Sequence, residues 1–454
     1  MDSRRMNVVM LPWLAYGHIS PYLQLAKKLV EHNFYIYLCS TAINLNFIKQ
    51  KIVQEKHLCS IQLVELQLPS TPDLPPNHHT TNGLPPHLMS TLKSAFERAA
   101  PSFSTILETL KPDLVIHDLV SAQWALATAS DHNIPAVQFS IFGAAGISFG
   151  FHMLKNPNTE YPFPEIHLGN VRRLMIPGGA REEPTKEDDI KKEGSPPSLE
   201  SSKSWSPPII LVKTFREFEG KYIDYFSTLV EKRTVPLGPL IEEQVGLSND
   251  RNTDIIQWLD KKDESSSVFV SFGSEYYLTK EEIEELAHGL ELSKVNFIWA
   301  LRFPGGEKGK VDEVLPEGFL ENVGEKGMVV EGWAPQFQIL AHPSIGGFVS
   351  HCGLSSIMES LNFGVPIIGL PMQLDQPLNA RLVEINGVGE EAKRGENGEL
   401  KRDEIGQVIR KVVVGQDGED LRNKARNFKD MLRSKGDEEI VRVAEELLQL
   451  CRNG

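Results

Sequence analysis

Two polar side chains near apolar segments in the first third of the chain could transfer a proton. His18 follows the apolar run Asn7–Leu11 and a glycine, Gly17, and Asp118 ends the apolar part of KPDLVIHDLV. The partial positive charge at a helix start favours a neutral imidazole, which can accept a proton. A carboxylate partner would fix the tautomer of that imidazole and stabilise its cation. A packed loop histidine and a helix-capping aspartate are the simpler alternative.

A second group of polar residues follows the apolar segment GGFVS. His351-Cys352-Gly353 comes directly after it, and a helix is expected to open at Ser355 and Ser356. Glycine, small hydroxyl residues and a helix N-terminus can bind a phosphate through backbone N–H groups and the helix dipole. Glu359 lies three residues after Ser356, so these two could instead form a capping box.

Asp375 and Gln376 follow the next apolar segment, PIIGLPM. Their polar groups could bind sugar hydroxyls or face water. The sequence pattern leaves both possibilities open.

The elements that must position these residues are short apolar strands that alternate with helical patterns. This alternation is typical of an α/β fold with a parallel sheet covered by helices on both faces. The predicted strands are Asn7–Leu11, Phe34–Cys39, Ile61–Leu66, Leu114–His117, Ala136–Phe142, Ile209–Lys213, Val268–Phe272, Phe297–Leu301, Met328–Glu331, Gly347–Ser350 and Pro366–Leu370.

Two helix starts are predicted from capping signals. Ser20 followed by Pro21 fits an N-cap with proline at the first helical position. Thr279 with Glu282 fits a capping box.

The length of 454 residues indicates more than one domain. We expect an N-terminal domain over 1–241, a linker over 242–253 and a C-terminal domain over 254–454, and we interpret 177–208 as a surface insertion. Both domains begin with a strand, a glycine-containing turn and a helix, which places His18 and Ser274 beyond the carboxyl ends of strands. Ligands of such sheets bind at that edge.

Composition excludes several classes of protein. The net charge of −14 without a concentrated basic stripe argues against nucleic acid as a partner. The four cysteines are scattered, which indicates a reducing compartment, the cytoplasm, and no structural zinc site. The uncharged stretch Asn133–Leu154 contains Pro135 and Gln138, so we expect a buried strand and helix there and no integral membrane segment.

The stretch from Trp333 to Gln376 resembles the signature box of the plant secondary-product glycosyltransferases, which are family 1 UDP-glycosyltransferases. His18, Asp118 and the segment VFVSFGS also stand where that family has them, so the resemblance covers essentially the whole chain. It implies the GT-B fold, in which two Rossmann-like, doubly wound domains with parallel sheets face each other across a cleft. It also implies that the last helix packs back on the N-terminal domain.

The resemblance implies a role for each matching residue. His18 would deprotonate an acceptor hydroxyl with Asp118 as its partner, and no metal or cofactor is implied besides UDP-glucose as co-substrate. Trp333 would stack on the uracil of the UDP-sugar with the Ala334 backbone at its edge, and Gln336 and Glu359 would bind the ribose. The diphosphate would be bound by Ser274, His351, Ser356 and the backbone near Gly353. Asp375 and Gln376 would bind the donor sugar, with Gly17, Leu354 and Ser355 nearby. In that family, glutamine at the position of Gln376 usually accompanies glucose as the donor sugar.

The chain departs from the family pattern at HCGLSS, where the family usually has HCGWNS. Ser355 can replace asparagine because both can cap a helix and bind a phosphate. Leu354 in place of tryptophan removes bulk and an N–H donor beside the donor sugar, so we expect altered sugar selectivity. Ile141 stands where the family often has serine or threonine.

Several segments, among them CSTAINL, look most like the glycoside-specific branch of the family. The resemblance therefore implies inverting transfer of glucose to a sugar hydroxyl, through a 1→2 or 1→6 link, on a terpenoid, steviol-type or flavonoid glycoside. We expect a monomer.

Three alternatives remain from the sequence. The enzyme could act directly on aglycone hydroxyls, or the chain could be a UDP-binding protein with little transferase activity because of Leu354. A hydrolase is suggested by Gly146-Ile147-Ser148-Phe149-Gly150, which fits G-x-S-x-G, but no oxyanion segment accompanies it.

Overall fold

The computed structural model describes residues 5–52, 58–69, 71–166, 168, 207–241, 250–303 and 311–453. The chain divides into two units, the first drawn from Met1–His152, Ser195–Val245 and Lys435–Gly454 and the second from Met153–Gly194 and Gly246–Ser434. The predicted insertion lies outside the described residues except for Pro207 and Pro208. The predicted linker lies outside them as far as residue 249, and its last residues belong to a helix that starts at Asp250.

The first unit contains a seven-stranded sheet with the order β3-β2-β1-β4-β5-β6-β7. All of its strand pairs are parallel. The six strands predicted in this half are present, and β7 was not predicted. The strands are β1 Met6–Leu11, β2 Phe34–Ser40, β3 Ile61–Glu65, β4 Leu114–Asp118, β5 Ala136–Ser140, β6 Ile209–Val212 and β7 Arg233–Pro236.

Helices cover both faces of this sheet because its central strands are apolar on both sides. Val8 and Met10 belong to one buried cluster and Val9 and Leu11 to another, as expected for side chains that alternate along a strand. The helices are α1 Tyr16–Glu31, α2 Ala42–Ile52, α3 Met89–Glu97, α4 Ala100–Leu110, α5 Ala122–Asp131, α6 Ala144–Lys155 and α7 Arg216–Val230, with short 3₁₀ turns at Leu58–Ser60, Pro76–His78 and Pro86–Leu88.

The predicted start of α1 at Ser20 was wrong. The helix begins at Tyr16, and the backbone N–H groups of His18 and Ile19 both donate to the carbonyl of Ala15. Pro21 therefore lies inside the helix, where it removes the hydrogen bond that an N–H would have made to the Gly17 carbonyl. The consequence is that His18 lies in the first helical turn rather than before the helix.

The second unit contains a six-stranded parallel sheet with the order β10-β9-β8-β11-β12-β13. The five strands predicted in this half are present, whereas β13 was not predicted. The strands are β8 Ser267–Ser271, β9 Asn296–Leu301, β10 Gly327–Glu331, β11 Ile345–Ser350, β12 Ile367–Gly369 and β13 Gly389–Glu391. Both sheets are Rossmann-like, as the sequence predicts.

The predicted capping box at Thr279 is confirmed. The Glu282 N–H donates to Thr279 Oγ1, and the Thr279 N–H donates to the Glu282 carboxylate. The remaining helices are α8 Asp250–Leu259, α9 Lys280–Ser293, α10 Val311–Val314, α11 Phe319–Val323, α12 Gln336–Ala341, α13 Leu354–Phe363, α14 Gln376–Ile385, α15 Arg402–Val413 and α16 Gln416–Asn453, with a 3₁₀ turn at Gly324–Lys326.

Helix α16 begins in the second unit, and its part from Lys435 onward belongs to the first. Ile440, Val443, Ala444 and Leu447 are buried in the same cluster as the strand residues Val8 and Met10. The end of α16 is therefore part of the core of the first unit. Within the part of the chain that the structure describes, no helix is long and apolar enough to cross a membrane.

Candidate active site

In the first unit, His18 and Asp118 form a buried pair at the carboxyl edge of the sheet. Nδ1 of His18 lies 2.8 Å from Oδ2 of Asp118. The two residues are 9% and 1% exposed. When the ring is neutral, an acidic partner at Nδ1 places its proton there, which leaves Nε2 as the nitrogen that can accept a proton.

The position of Asp118 is fixed by the backbone around it. Its Oδ2 also accepts a hydrogen bond from the Trp13 N–H at 3.3 Å, and its Oδ1 accepts one from the Val120 N–H at 3.1 Å. The carboxylate ends β4, while Trp13 lies just after β1, so two neighbouring strand ends hold it. The imidazole is thereby oriented by a rigid group.

Phe142, just after β5, contacts His18 from another side. The two rings meet edge to face, with centroids 5.9 Å apart. The chain beside Phe142 is held by Glu219, a fully buried residue of α7 whose Oε1 accepts the Ala145 N–H at 2.8 Å. A Cβ at Gly143 would lie 2.8 Å from both carboxylate oxygens of Glu219, so glycine is the residue that fits. No sequence pattern singled out Phe142 or Glu219.

In the second unit, His351 lies between two glycines that follow neighbouring strands. Ser350 of β11 is paired with Ser271 of β8, so the residues after each strand meet at the same edge. A Cβ at Gly273 would lie 2.7 Å from Cε1 of His351, and a Cβ at Gly353 would lie 2.5 Å from its Nε2. Gly273 also has a φ of +69°, which favours glycine. Ser274 is the next residue in this turn.

The N-terminus of α13 lies directly after this histidine. Gly353 is the N-cap, and Leu354 is the first helical residue, so Ser355 and Ser356 lie within the first turn. The capping-box interpretation of Ser356 and Glu359 was therefore wrong, because the cap is Gly353. Backbone N–H groups of the first helical turn lack carbonyl partners within the helix and can bind an anion.

Glu359 contacts Gln336 instead, at a distance of 2.6 Å from Gln336 Nε2 to Glu359 Oε2. Gln336 is the first residue of α12 and follows Trp333 and Ala334. The Trp333 side chain is exposed, so its ring is accessible to a ligand, whereas Ala334 is buried. The pair of Gln336 and Glu359 thus lies close to an exposed aromatic surface.

Arg302 connects this aromatic surface to the glycine turn, although no sequence pattern singled it out. Its guanidinium lies 5.3 Å from the ring centroid of Tyr277 and 5.9 Å from that of Trp333. It also donates to the carbonyl of Gly273. The positive charge of Arg302, beside the exposed indole of Trp333 and the turn at Gly273, adds positive potential where a nucleotide would bind.

Asp375 and Gln376 form the start of α14, with Asp375 at the N-cap. Oε1 of Gln376 accepts the backbone N–H groups of Met372 and Gln373, both at 2.9 Å. The side-chain oxygen of Gln376 therefore fixes the loop before α14, and its NH₂ group can donate hydrogen bonds to a ligand. Leu374 has a φ of +57°, so this loop is strained as well as braced.

His351 is partly exposed, and the burial of its ring lowers its pKa from 6.5 to about 4, against a smaller raising effect of a backbone hydrogen bond at Ser271. The ring is therefore neutral at physiological pH. A neutral imidazole can donate one hydrogen bond to a phosphate oxygen without requiring a buried cation in the unliganded protein.

The predicted site residues fall into two groups. Gly17, His18 and Asp118 lie at the sheet edge of the first unit, and the predicted UDP-sugar residues other than Gly17 lie at the sheet edge of the second. Leu354 is 5% exposed at the start of α13. The roles of these residues stay predictions.

Comparison with known proteins identifies relatives along the whole chain. The family profile described as "UDP-glucoronosyl and UDP-glucosyl transferase" matches residues 242–416, and "Glycosyltransferase, N-terminal domain" matches residues 4–168. UDP-glucosyltransferase 29 of Panax ginseng is 51% identical over 100% of this chain and 99% of its own length. Beta-D-glucosyl crocetin beta-1,6-glucosyltransferase of Gardenia jasminoides is 50% identical over 97% of this chain and 98% of its own.

The fold is also found in solved structures. UGT2 of Phytolacca americana, complexed with UDP-2fluoro-glucose and pterostilbene, has a TM-score of 0.75 and 26% identity, covering 98% of this chain and 100% of that one. The two Rossmann-like sheets of this chain are those of the GT-B fold, as the sequence predicts.

If His351 binds the diphosphate as predicted, Gly273→Ala should weaken binding of UDP by about tenfold or more, because displacement of His351 would remove a hydrogen bond to a charged group. Gly318→Ala is the matched control, since Gly318 has a φ of +74° but a Cβ there would meet no atom within 4 Å. Both variants carry the strain of a positive φ, but only Gly273→Ala adds an overlap with His351, so only it should lose affinity in calorimetric titration. Equal affinities in the two variants would contradict the role of this contact.

The low pKa of His351 predicts a dependence of stability on pH. Between pH 6.5 and about 4 the unfolded chain binds a proton at this histidine that the folded chain does not, so stability falls as the pH is lowered. With allowance for partial exposure, the loss at the acid end is about 2 kcal/mol. Urea denaturation of the parent and of His351→Asn over this range measures it.

The difference between the parent and His351→Asn isolates this group from other titrating residues, such as the buried His117. His342→Asn, which replaces a partly buried histidine of the same unit, is the control variant. A parent slope in His351→Asn as well would show that His351 does not carry the effect.

Proposed function

The chain belongs to the UDP-glycosyltransferase family, and we propose that it transfers glucose from UDP-glucose to a sugar hydroxyl of a small-molecule plant glycoside. The observation that carries the proposal is the buried His18–Asp118 pair, with 2.8 Å between Nδ1 and Oδ2. A sugar hydroxyl is an alcohol and is far less acidic than a phenol. Its attack therefore needs a general base, which an oriented neutral imidazole supplies.

In the proposed reaction, Nε2 of His18 takes the proton of the acceptor hydroxyl. The acceptor oxygen forms a bond to the anomeric carbon of glucose as the bond from that carbon to the diphosphate oxygen breaks, and UDP leaves with the electron pair. Asp118 stabilises the imidazolium that forms. A single displacement inverts the configuration at the anomeric carbon.

The donor side of the proposal uses the edge of the second sheet. Trp333 would stack on the uracil, Gln336 and Glu359 would bind the ribose, and His351 with the start of α13 would bind the diphosphate. The developing charge on UDP would be offset by backbone N–H groups and the helix dipole. Asp375 and the NH₂ group of Gln376 would bind glucose hydroxyls.

The acceptor class is supported by the relatives. The Gardenia jasminoides enzyme, at 50% identity, acts by its name on a glucosylated crocetin and forms a beta-1,6 link. We therefore propose a glycoside acceptor, such as a terpenoid or flavonoid glycoside, with the aglycone itself as the alternative. Leu354 instead favours a different outcome, a UDP-binding protein with little transfer.

We also propose a monomer located in the cytoplasm. All four cysteines are unpaired, as expected in a reducing compartment. Two of them, Cys39 and Cys352, are buried.

The acceptor assignment predicts that monoglucosides are better substrates than their aglycones. With UDP-glucose as donor, kcat/KM should be at least about tenfold higher for the monoglucoside of each matched pair, because only it offers the sugar hydroxyl. UDP release measures the rate, and NMR of the product gives the link. Preference for the aglycone would favour aglycone hydroxyls as the acceptor. UDP binding without turnover of the monoglucoside or the aglycone would favour a UDP-binding protein. In that case Leu354→Trp should restore turnover.

The proposed base predicts that His18→Ala lowers kcat by about 10²–10⁴-fold. The affinity for UDP should stay within about twofold, because no charge is added or removed at the nucleotide. His132→Ala is the control. His132 lies in the same unit but is not one of the proposed site residues, and its Nε2 is hydrogen-bonded to Ser104 Oγ at 2.7 Å. Equal loss of turnover and UDP affinity in His18→Ala would contradict the assignment.

A further inference from the structure

We propose that Asn379 is a positioning residue for the donor sugar, acting through Asp375. This inference rests on the proposed function, because it assumes that Asp375 binds glucose hydroxyls. Asn379 lies one turn after Asp375 on α14 and is fully buried. A buried amide destabilises a protein unless it is hydrogen-bonded, so the bonds of Asn379 determine what this residue does.

The NH₂ group of Asn379 donates to two acceptors. Nδ2 lies 3.0 Å from Oδ2 of Asp375 and 3.0 Å from the backbone carbonyl of Cys352. A carboxylate and a carbonyl accept hydrogen bonds and cannot donate, so the NH₂ end of the amide must face them. Asn379 therefore links the residue proposed to hold the sugar to the turn proposed to hold the diphosphate.

The bond to Cys352 gives Asn379 a fixed anchor. Cys352 has a φ of +64°, an uncommon conformation for a residue with a side chain, and its N–H donates to Ser350 Oγ at 3.1 Å. Its carbonyl is thus held in one direction at the end of β11. The amide of Asn379, bonded to that carbonyl, is held in turn.

The bond to Asp375 then restrains the direction of the carboxylate. Backbone geometry alone brings the two residues together, because residues i and i+4 of a helix share a face. The side-chain bond adds a restraint on the rotamer of Asp375. A carboxylate accepts about four hydrogen bonds, so this one orients the group and leaves capacity for sugar hydroxyls.

Two side chains of α14 therefore restrain different parts of the loop that precedes this helix. The oxygen of Gln376 accepts backbone N–H groups at Met372 and Gln373, so it fixes the path of the main chain. The NH₂ group of Asn379 instead acts on the carboxylate itself. Loss of Asn379 should consequently lower the affinity for the sugar rather than for the nucleotide.

The test is a double-mutant cycle of Asn379→Ala and Asp375→Ala, read as the affinities for UDP-glucose and for UDP. Asn379→Ala should weaken UDP-glucose binding about tenfold and UDP binding less than about threefold, the size expected for one charge-assisted hydrogen bond. In the Asp375→Ala background, Asn379→Ala should add less than about threefold, because its effect passes through the carboxylate.

Two further variants make the result independent of folding defects. Asn386→Ala removes an amide that donates to the Leu382 carbonyl at 2.8 Å at the end of the same helix, and it should change neither affinity. Asn379→Asp keeps the size of the side chain but places a carboxylate beside Asp375. Its affinity for UDP-glucose relative to UDP should be low at neutral pH and should recover as the pH is lowered, because the protonated carboxyl group donates again.

The outcomes separate the role of Asn379 from that of Asp375. If Asp375→Ala does not lower the affinity for UDP-glucose relative to UDP, the proposed sugar role of Asp375 fails. If Asp375→Ala lowers it but Asn379→Ala does not, or if the two effects add in full, the role of Asn379 is overturned while the proposed function stands. Loss of UDP affinity equal to that of UDP-glucose in Asn379→Ala also overturns it.

Discussion

Parallel pairing of neighbouring strands is the constraint on which the candidate site residues of each unit depend. Leu11 of β1 is paired with His117 of β4, and Ser271 of β8 is paired with Ser350 of β11. In a parallel sheet these registers bring the carboxyl ends of the strands to one edge. Residues that are about 100 or 80 positions apart in sequence therefore become neighbours, as His18 and Asp118 do.

The close approach of backbone to side chain follows from the same registers. His351 follows β11 and lies beside the turn that follows β8. The gap between its ring and the backbone is so narrow that glycine is needed at positions 273 and 353. The glycines near the ends of these strands are therefore determined by a contact across the sheet. Their effect is to place a neutral imidazole and the first turn of α13 side by side.

Sequence patterns predicted the central strands and the residues that follow them, because those strands are apolar throughout and end in polar or glycine-containing turns. The edge strands β7 and β13 were missed, since Arg233–Pro236 is short and contains proline and Gly389–Glu391 is polar. Both are formed by pairing with a neighbouring strand rather than by their own propensity. Helix α1 was predicted to start too late because Ser20-Pro21 has the composition of a cap, whereas the chain turns at Ala15.

Side-chain contacts between distant elements could not be predicted in this way. The position of Arg302 at the end of β9 indicates that it lies at the functional edge, but its contacts with Trp333 and Gly273 depend on strand order. The contact of Glu219 with Ala145 joins residues 74 positions apart and has no local signal. The bond from Asn379 to Asp375 is local, with a spacing of i, i+4 at one helix start, but no pattern in the sequence singled it out.

Helix α16 has a consequence for the order in which the protein is made. The strand residues Val8 and Met10 are synthesised before the second sheet, yet their buried cluster includes Ile440, Val443 and Leu447 of α16. During translation the first sheet can pair its strands and α1 can cover part of this face, but the cluster lacks the residues of α16 until that helix has been synthesised. The core of the first unit is therefore completed only after the strands of the second unit have been synthesised.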